Sequence, residues 1–196
     1  MEFKAKLLTA KIDETVEDEL PVEELEQEFS GKGTSLLPSQ MKNKRPALFN
    51  KPISWPKSGR VFDIGAGRPE MAQSLRDWFS SMDVTYLPYD KFNGDSYNSD
   101  TIKELKKERA DVATASNLLN VIPGKDNRIN VIRQMYNALK PGGKFYITVH
   151  FTPGKQPGQT GKDQWQNHMT TSAYLDEVKE VFPNASVSKG MITGTK

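Results

Sequence analysis

Residues 60–67 read Arg60-Val61-Phe62-Asp63-Ile64-Gly65-Ala66-Gly67, a short apolar run that closes on an acid and two spaced glycines. A second apolar run, Val84 to Tyr89, closes on Asp90, 23 residues after Gly67. This is how a parallel α/β sheet builds an adenosine site. Glycines let the backbone turn sharply and approach a ligand, and an acid ending the next strand meets the ribose hydroxyls.

The fingerprint is not that of a dinucleotide. A pyrophosphate site follows G-x-G-x-x-G, its third glycine allowing close helix–strand packing. Here that position is Glu70, preceded by Pro69. Instead an acid stands two residues before the first glycine, giving Asp63-x-Gly65-x-Gly67. A carboxylate there repels a pyrophosphate but engages the ammonium of an aminoacyl ligand. The alternative is a tight strand-to-helix turn that holds no ligand.

Alternating strands and helices extend outward from this stretch and predict parallel strands with right-handed crossovers. Strand 1 covers Arg60 to Ile64. Pro69 opens a helix to about Ser80, since a first-turn proline loses no hydrogen bond, with Met71, Leu75, Trp78 and Phe79 inward. Strand 2 covers Val84 to Tyr89, and a polar helix about Ser99 to Arg109. Ala110 to Ser116 follows as a short central strand. Asp126 is expected to cap a helix whose Ile129, Ile132, Tyr136 and Leu139 share a face. Lys144 to Phe151 forms the next strand. Thr170, Thr171 or Ser172 is expected to cap a last helix that ends near Phe182, and Ser186 to Thr193 forms one final strand. The fold class is α/β, a doubly wound, mostly parallel sheet with helices on both faces, abbreviated after strand 2.

Taken together, Asp63-Ile64-Gly65-Ala66-Gly67, Asp90, the segment Thr114 to Ile122, and Leu139-Lys140-Pro141-Gly142-Gly143 with its following strand resemble class I S-adenosylmethionine-dependent methyltransferases. The resemblance covers about residues 58–151 and implies a Rossmann-like sheet and S-adenosylmethionine as cofactor. It implies cofactor contacts from Asp63, Gly65, Gly67, Asp90, Ser116 and Asn117. The chain departs from the family at Pro69, and has little room between strand 2 and Thr114, where most members carry an extra strand and helix. Segments 34–40 and 115–128 are also similar to methyltransferase-like proteins of bacterial and phage DNA-modification neighbourhoods. Methylases of exocyclic amines place Asp/Asn-Pro-Pro-aromatic after this strand. Here Asn117-Leu118-Leu119-Asn120 stands instead, which does not support N6-adenine methylation.

Candidates for acceptor chemistry lie at the same sheet edge. Asn117 is placed to orient an amine or hydroxyl and Asn120 to bind substrate, unless both satisfy local backbone groups. His150, near the end of the Lys144 to Phe151 strand, is the preferred general base, or else a core histidine against a helix. Residues 152–169 read as an irregular substrate lid carrying Lys155, Lys162, Trp165 and His168. Trp165 is a stacking platform or a loop anchor, and His168 the second candidate base.

Composition bounds the rest. At 196 residues the chain builds one sizeable domain, assigned here to residues 31–196. With no cysteine there is no thiolate zinc site, no metal site is assigned, and covalent C5-cytosine methylation is excluded because it needs a thiolate. Residues 1–30 hold 10 acids and 3 bases, and the remaining 24 bases and 15 acids give residues 31–196 a net charge of +9. The first 30 residues read as an acidic, partly helical or mobile extension. The basic body suits an anionic partner such as nucleic acid, with a small-molecule acceptor or a non-catalytic adaptor role as the other readings. No apolar run approaches a bilayer span and the first residues lack a signal core, so the cytoplasm is the expected compartment.

Overall fold

The computed structural model describes residues 45–196. The acidic extension, the Thr34 to Gln40 segment, and Lys42 and Lys44 of the expected Ser35 to Leu48 helix lie outside the described residues. The described end of that helix is a single 3-10 turn, Ala47–Asn50.

The central sheet contains β1 (Gly59–Ile64), β2 (Val84–Tyr89), β3 (Ala110–Ser116) and β4 (Leu139–Thr148). A separate hairpin is made by β5 (Gly158–Gly161) and β6 (Gln164–Gln166), and β7 (Ser186–Ser188) and β8 (Met191–Thr195) finish the sheet. The order is β2-β1-β3-β4-β8-β7. The first four strands are parallel, while β8 runs antiparallel to β4 and β7 antiparallel to β8. β2 is an edge strand, so the sheet ends where the sequence lacked room for another. The helices are α1 (Pro69–Ser80), α2 (Asn98–Lys107), α3 (Lys125–Ala138) and α4 (Leu175–Lys179).

Strand alternation sorts the core into two layers. Val61, Tyr86, Val112 and Tyr146 meet Leu75 and Phe79 of α1, together with Leu48, Phe49 and Trp55 of the entering segment. Phe62, Leu87, Ala113 and Phe145 face the other way, onto Leu105 of α2, Ile132 and Met135 of α3, and Val178 of α4. Phe79 is fully buried among Trp55, Trp78 and Tyr86, which contributes ~2 kcal/mol from its apolar area.

Four expectations change. β4 stops at Thr148 instead of Phe151, freeing His150 from the sheet, and begins at Leu139 through a bulge that takes in Pro-Gly-Gly. The last strand is a hairpin, because Lys189 and Gly190 both take positive φ (51° and 71°), the requirement of a tight two-residue turn. α3 starts after Gly124 with no side-chain cap, so Asp126 lies in its first turn rather than before it. The last helix splits into a 3-10 turn, Thr171–Tyr174, and the short α4. No helix among the described residues is long and apolar enough to cross a membrane.

Candidate functional site

The two glycines after β1 adopt left-handed backbone, φ 78° at Gly65 and 80° at Gly67, a region that side chains disfavour. The turn folds back on β2: the N–H groups of Gly65 and Ala66 donate to the Tyr89 carbonyl at 2.8 and 3.1 Å. The Gly67 N–H donates to Asp90 Oδ2 at 2.9 Å, and the Tyr97 hydroxyl donates to the Gly67 carbonyl. Asp90 Oδ1 also accepts from the N–H groups of Phe92 and Asn93, at 3.0 and 2.8 Å. The acid expected at the ribose therefore also fastens the glycine turn to the loop after β2.

Asp63 is placed differently from the expectation of a direct ligand contact. Its carboxylate is 2 % exposed and accepts from Tyr86 at 2.5 Å and Thr114 at 2.7 Å. Alternation explains this. Asp63, Tyr86 and Thr114 sit on adjacent strands with side chains on the α1 face, so the acid faces two hydroxyls beneath the turn. Burial, partly offset by these hydroxyls, pushes its pKa up to about 7.

On the strand next to β1, β3 ends at Ser116, and Asn117 takes a left-handed φ of 57° with its N–H on the Thr148 carbonyl, 2.9 Å away. Its side chain is exposed. That turn lays Leu118 against Gly65, where an added Cβ would lie 2.9 Å from both leucine methyls. We expect Gly65→Ala to cost about 1–2 kcal/mol in urea unfolding, from left-handed strain plus this clash. Gly142→Ala, at φ 76° with open space around it, should show the backbone part alone. Equal losses in the two variants would remove Leu118 from the account.

Three buried oxygens at the end of β3 and β4 have no hydrogen-bond partner: Ser116 Oγ, Thr148 Oγ1 and Asn120 Oδ1. Ser116 and Thr148 are direct neighbours in the β3–β4 register. Buried polar atoms left unpaired are costly, and these lie on the edge where such sheets take ligands.

His150 is exposed, with Nε2 3.2 Å from Thr152 Oγ1, so it is not a core histidine. His168 has positive φ, and its Nδ1 is buried without a partner. Residues 152–169 are not irregular throughout, because β5 and β6 form a hairpin at their centre. Lys162 is exposed in its turn, and Lys155 is exposed ahead of it. Trp165 is half-buried and donates from Nε1 to Asn167 Oδ1 at 2.7 Å, an anchor rather than an open stacking surface.

The sequence did not point to the groups that organise this edge. Asn167 donates from Nδ2 to the carbonyls of Leu119 and Ile122, at 3.0 and 2.8 Å, and from its N–H to that of Asn120 at 2.8 Å. Gln166 bridges the two loops, accepting from Asn120 and donating to the His150 carbonyl, both at 3.2 Å. Arg128 of α3 donates to the carbonyls of Ile122 and Pro123 and pairs bidentately with Glu177 of α4, at 2.7 and 2.8 Å. Arg128 interrupts an otherwise apolar helix face, which was the one signal available.

A glycine turn pinned by an acid from the neighbouring strand, at the carboxyl edge of a mostly parallel sheet, defines a Rossmann-like fold. Residues 35–180 match the family described as "Methyltransferase domain", and the chain belongs to that family. Two solved structures share the fold. The apo form of the S-adenosylmethionine-dependent methyltransferase SibL is 17% identical with a TM-score of 0.51, and the match covers 81% of this chain and 55% of SibL. CalO1, a methyltransferase in calicheamicin biosynthesis solved with S-adenosylhomocysteine, is 11% identical with a TM-score of 0.50, and the match covers 80% of this chain and 54% of CalO1. The chain thus spans about half the length of these two proteins. No curated protein matches the sequence.

Proposed function

We propose that the chain is a class I methyltransferase that uses S-adenosylmethionine to methylate a nitrogen or oxygen of a small, uncharged acceptor. The observation that carries this is the positive-φ turn at Gly65 and Gly67, bonded to Asp90, in a chain of the methyltransferase-domain family. When bound, the cofactor supplies an electrophilic methyl group whose transfer needs positioning more than covalent help. Gly65, Gly67 and the first turn of α1 would hold its aminoacyl end, and Asp90 the ribose. Ser116 and Asn117, at the end of β3, would stand on the same sheet edge. Asn120 and Thr148 offer unpartnered oxygens to an acceptor N–H or O–H. His150, exposed beside them, takes the proton that the acceptor loses.

The uncharged character of these oxygens favours a neutral acceptor. A nucleic-acid acceptor, including the DNA-modification type, is the second reading. It rests on the net charge of +9 over residues 31–196 and on the exposed Lys162 in the hairpin turn and Lys155 ahead of it.

Calorimetric titration with S-adenosylmethionine and S-adenosylhomocysteine tests the core of this reading. Micromolar binding that Asp90→Ala abolishes is the expected result. No binding to well-folded protein would overturn it in favour of a non-catalytic adaptor. Single-stranded DNA affinity that falls steeply with salt would favour the second reading for the acceptor.

A further inference from the structure

We infer that Asp63 makes this site distinguish the cationic, methylated cofactor from its neutral, demethylated product, by giving up a proton when the cation binds. The inference rests on the cofactor reading above. Asp63 stands two residues before Gly65, directly behind the turn on which the ligand would lie, and yet it is covered. It therefore acts through its field and not by contact.

Its surroundings leave it short of positive charge. From β2 it faces the Tyr86 hydroxyl, and from β3 the Thr114 hydroxyl. The Asp90 carboxylate beyond the strand end adds a like charge. Tyr97, which follows Asp90 and bonds the Gly67 carbonyl, adds another neutral hydroxyl. Arg76 of α1 acts on the neighbouring Tyr86 and Tyr97, and among the described residues neither hydrogen-bond partner of Asp63 is a cation. A buried carboxyl so placed keeps its proton to near neutrality. S-adenosylmethionine carries one positive charge more than S-adenosylhomocysteine, at the sulfur. That charge favours the ionised carboxyl, so the O–H bond of Asp63 breaks and the proton goes to solvent. Once the methyl has left, the site again favours the protonated acid, which takes a proton back from solvent. The neutral product then loses the electrostatic attraction that held the substrate form.

Calorimetry in two buffers of different ionisation enthalpy counts the protons. Between pH 6 and 7, S-adenosylmethionine and the non-transferable cationic analogue sinefungin should each release about half a proton more than S-adenosylhomocysteine. Affinity for the cation should rise about fivefold, relative to the product, from pH 6 to 8, within a limit of about tenfold that corresponds to about 1.4 kcal/mol of attraction between the two charges. The ligands' own α-amino groups titrate near 7.7–8.0, and the comparison with Asp63→Asn cancels them. That variant should lose both the extra proton and the pH-dependent ratio. Tyr86→Phe, which removes a hydroxyl that stabilises the anion, should move the window to higher pH. It decides the matter if Asp63→Asn does not fold. Equal proton counts for the three ligands, a difference that survives in Asp63→Asn, or an unmoved window in Tyr86→Phe would each overturn the inference while leaving the cofactor reading intact. Failure of all three ligands to bind at every pH overturns both.

Discussion

Arg128→Ala is expected to destabilise the protein by about 3 kcal/mol and to lower the melting temperature by about 10 °C. The side chain is 8 % exposed and holds four acceptors at once: both oxygens of Glu177 and the carbonyls of Ile122 and Pro123. Truncation strands a largely covered carboxylate and frees the loop that carries Asn120. A lysine cannot reproduce the planar fork, so Arg128→Lys should recover less than half of the loss. Asn167 shares the Ile122 carbonyl with Arg128, and a double-mutant cycle between the two should return a coupling above about 0.5 kcal/mol. Thermal unfolding of the four proteins checks this, and a loss below about 1 kcal/mol for Arg128→Ala would show that the loop is held by other contacts.

The second large effect is a dependence of stability on pH that Asp63→Asn should remove. Asp63 rises from an ordinary 3.8 to about 7 in the folded protein. Folded protein therefore holds this proton more tightly than the unfolded chain. Below about pH 4 both states are protonated, and the site contributes its full stability. As pH rises to about 7 the unfolded chain ionises first, and stability falls by about 4 kcal/mol, each pH unit between the two ionisations being worth about 1.36 kcal/mol. Asparagine does not titrate. Urea unfolding of the two proteins from pH 4 to 8 should show curves that converge or cross, with the variant gaining relative to wild type as pH rises. Parallel curves would mean that the buried acid is ionised throughout.

What sequence reading reached and what it missed divide along physical lines. β2 and β3 were legible to the residue, because Val84 to Tyr89 and Ala110 to Ser116 are apolar or small runs bounded by turn residues. The glycine turn and Asp90 were legible because a positive φ leaves glycine as a visible mark. The two-residue hairpin at Lys189 escaped because lysine rarely adopts a left-handed backbone. The direction of Asp63 escaped for another reason. A strand's period tells which face a residue takes, but not which hydroxyls arrive from strands 23 and 51 residues away. Asn167 and Arg128 act through carbonyls of an irregular loop, and no periodicity marks a carbonyl that needs a donor. The site's anchors were therefore less visible than its glycines.

Ending the sheet at β2 also bears on how the molecule behaves among copies of itself. A bare strand edge recruits other chains into a growing ladder. Here the outermost strand carries Pro88, which has no N–H to offer, and its carbonyl is already taken by the buried Thr101 hydroxyl of α2 at 2.6 Å. At the opposite margin β7 is three residues long, too short to template a partner. A proline and an occupied carbonyl at one rim, and a three-residue strand at the other, leave the described six-stranded sheet less bare ladder for copies that meet at high concentration to extend.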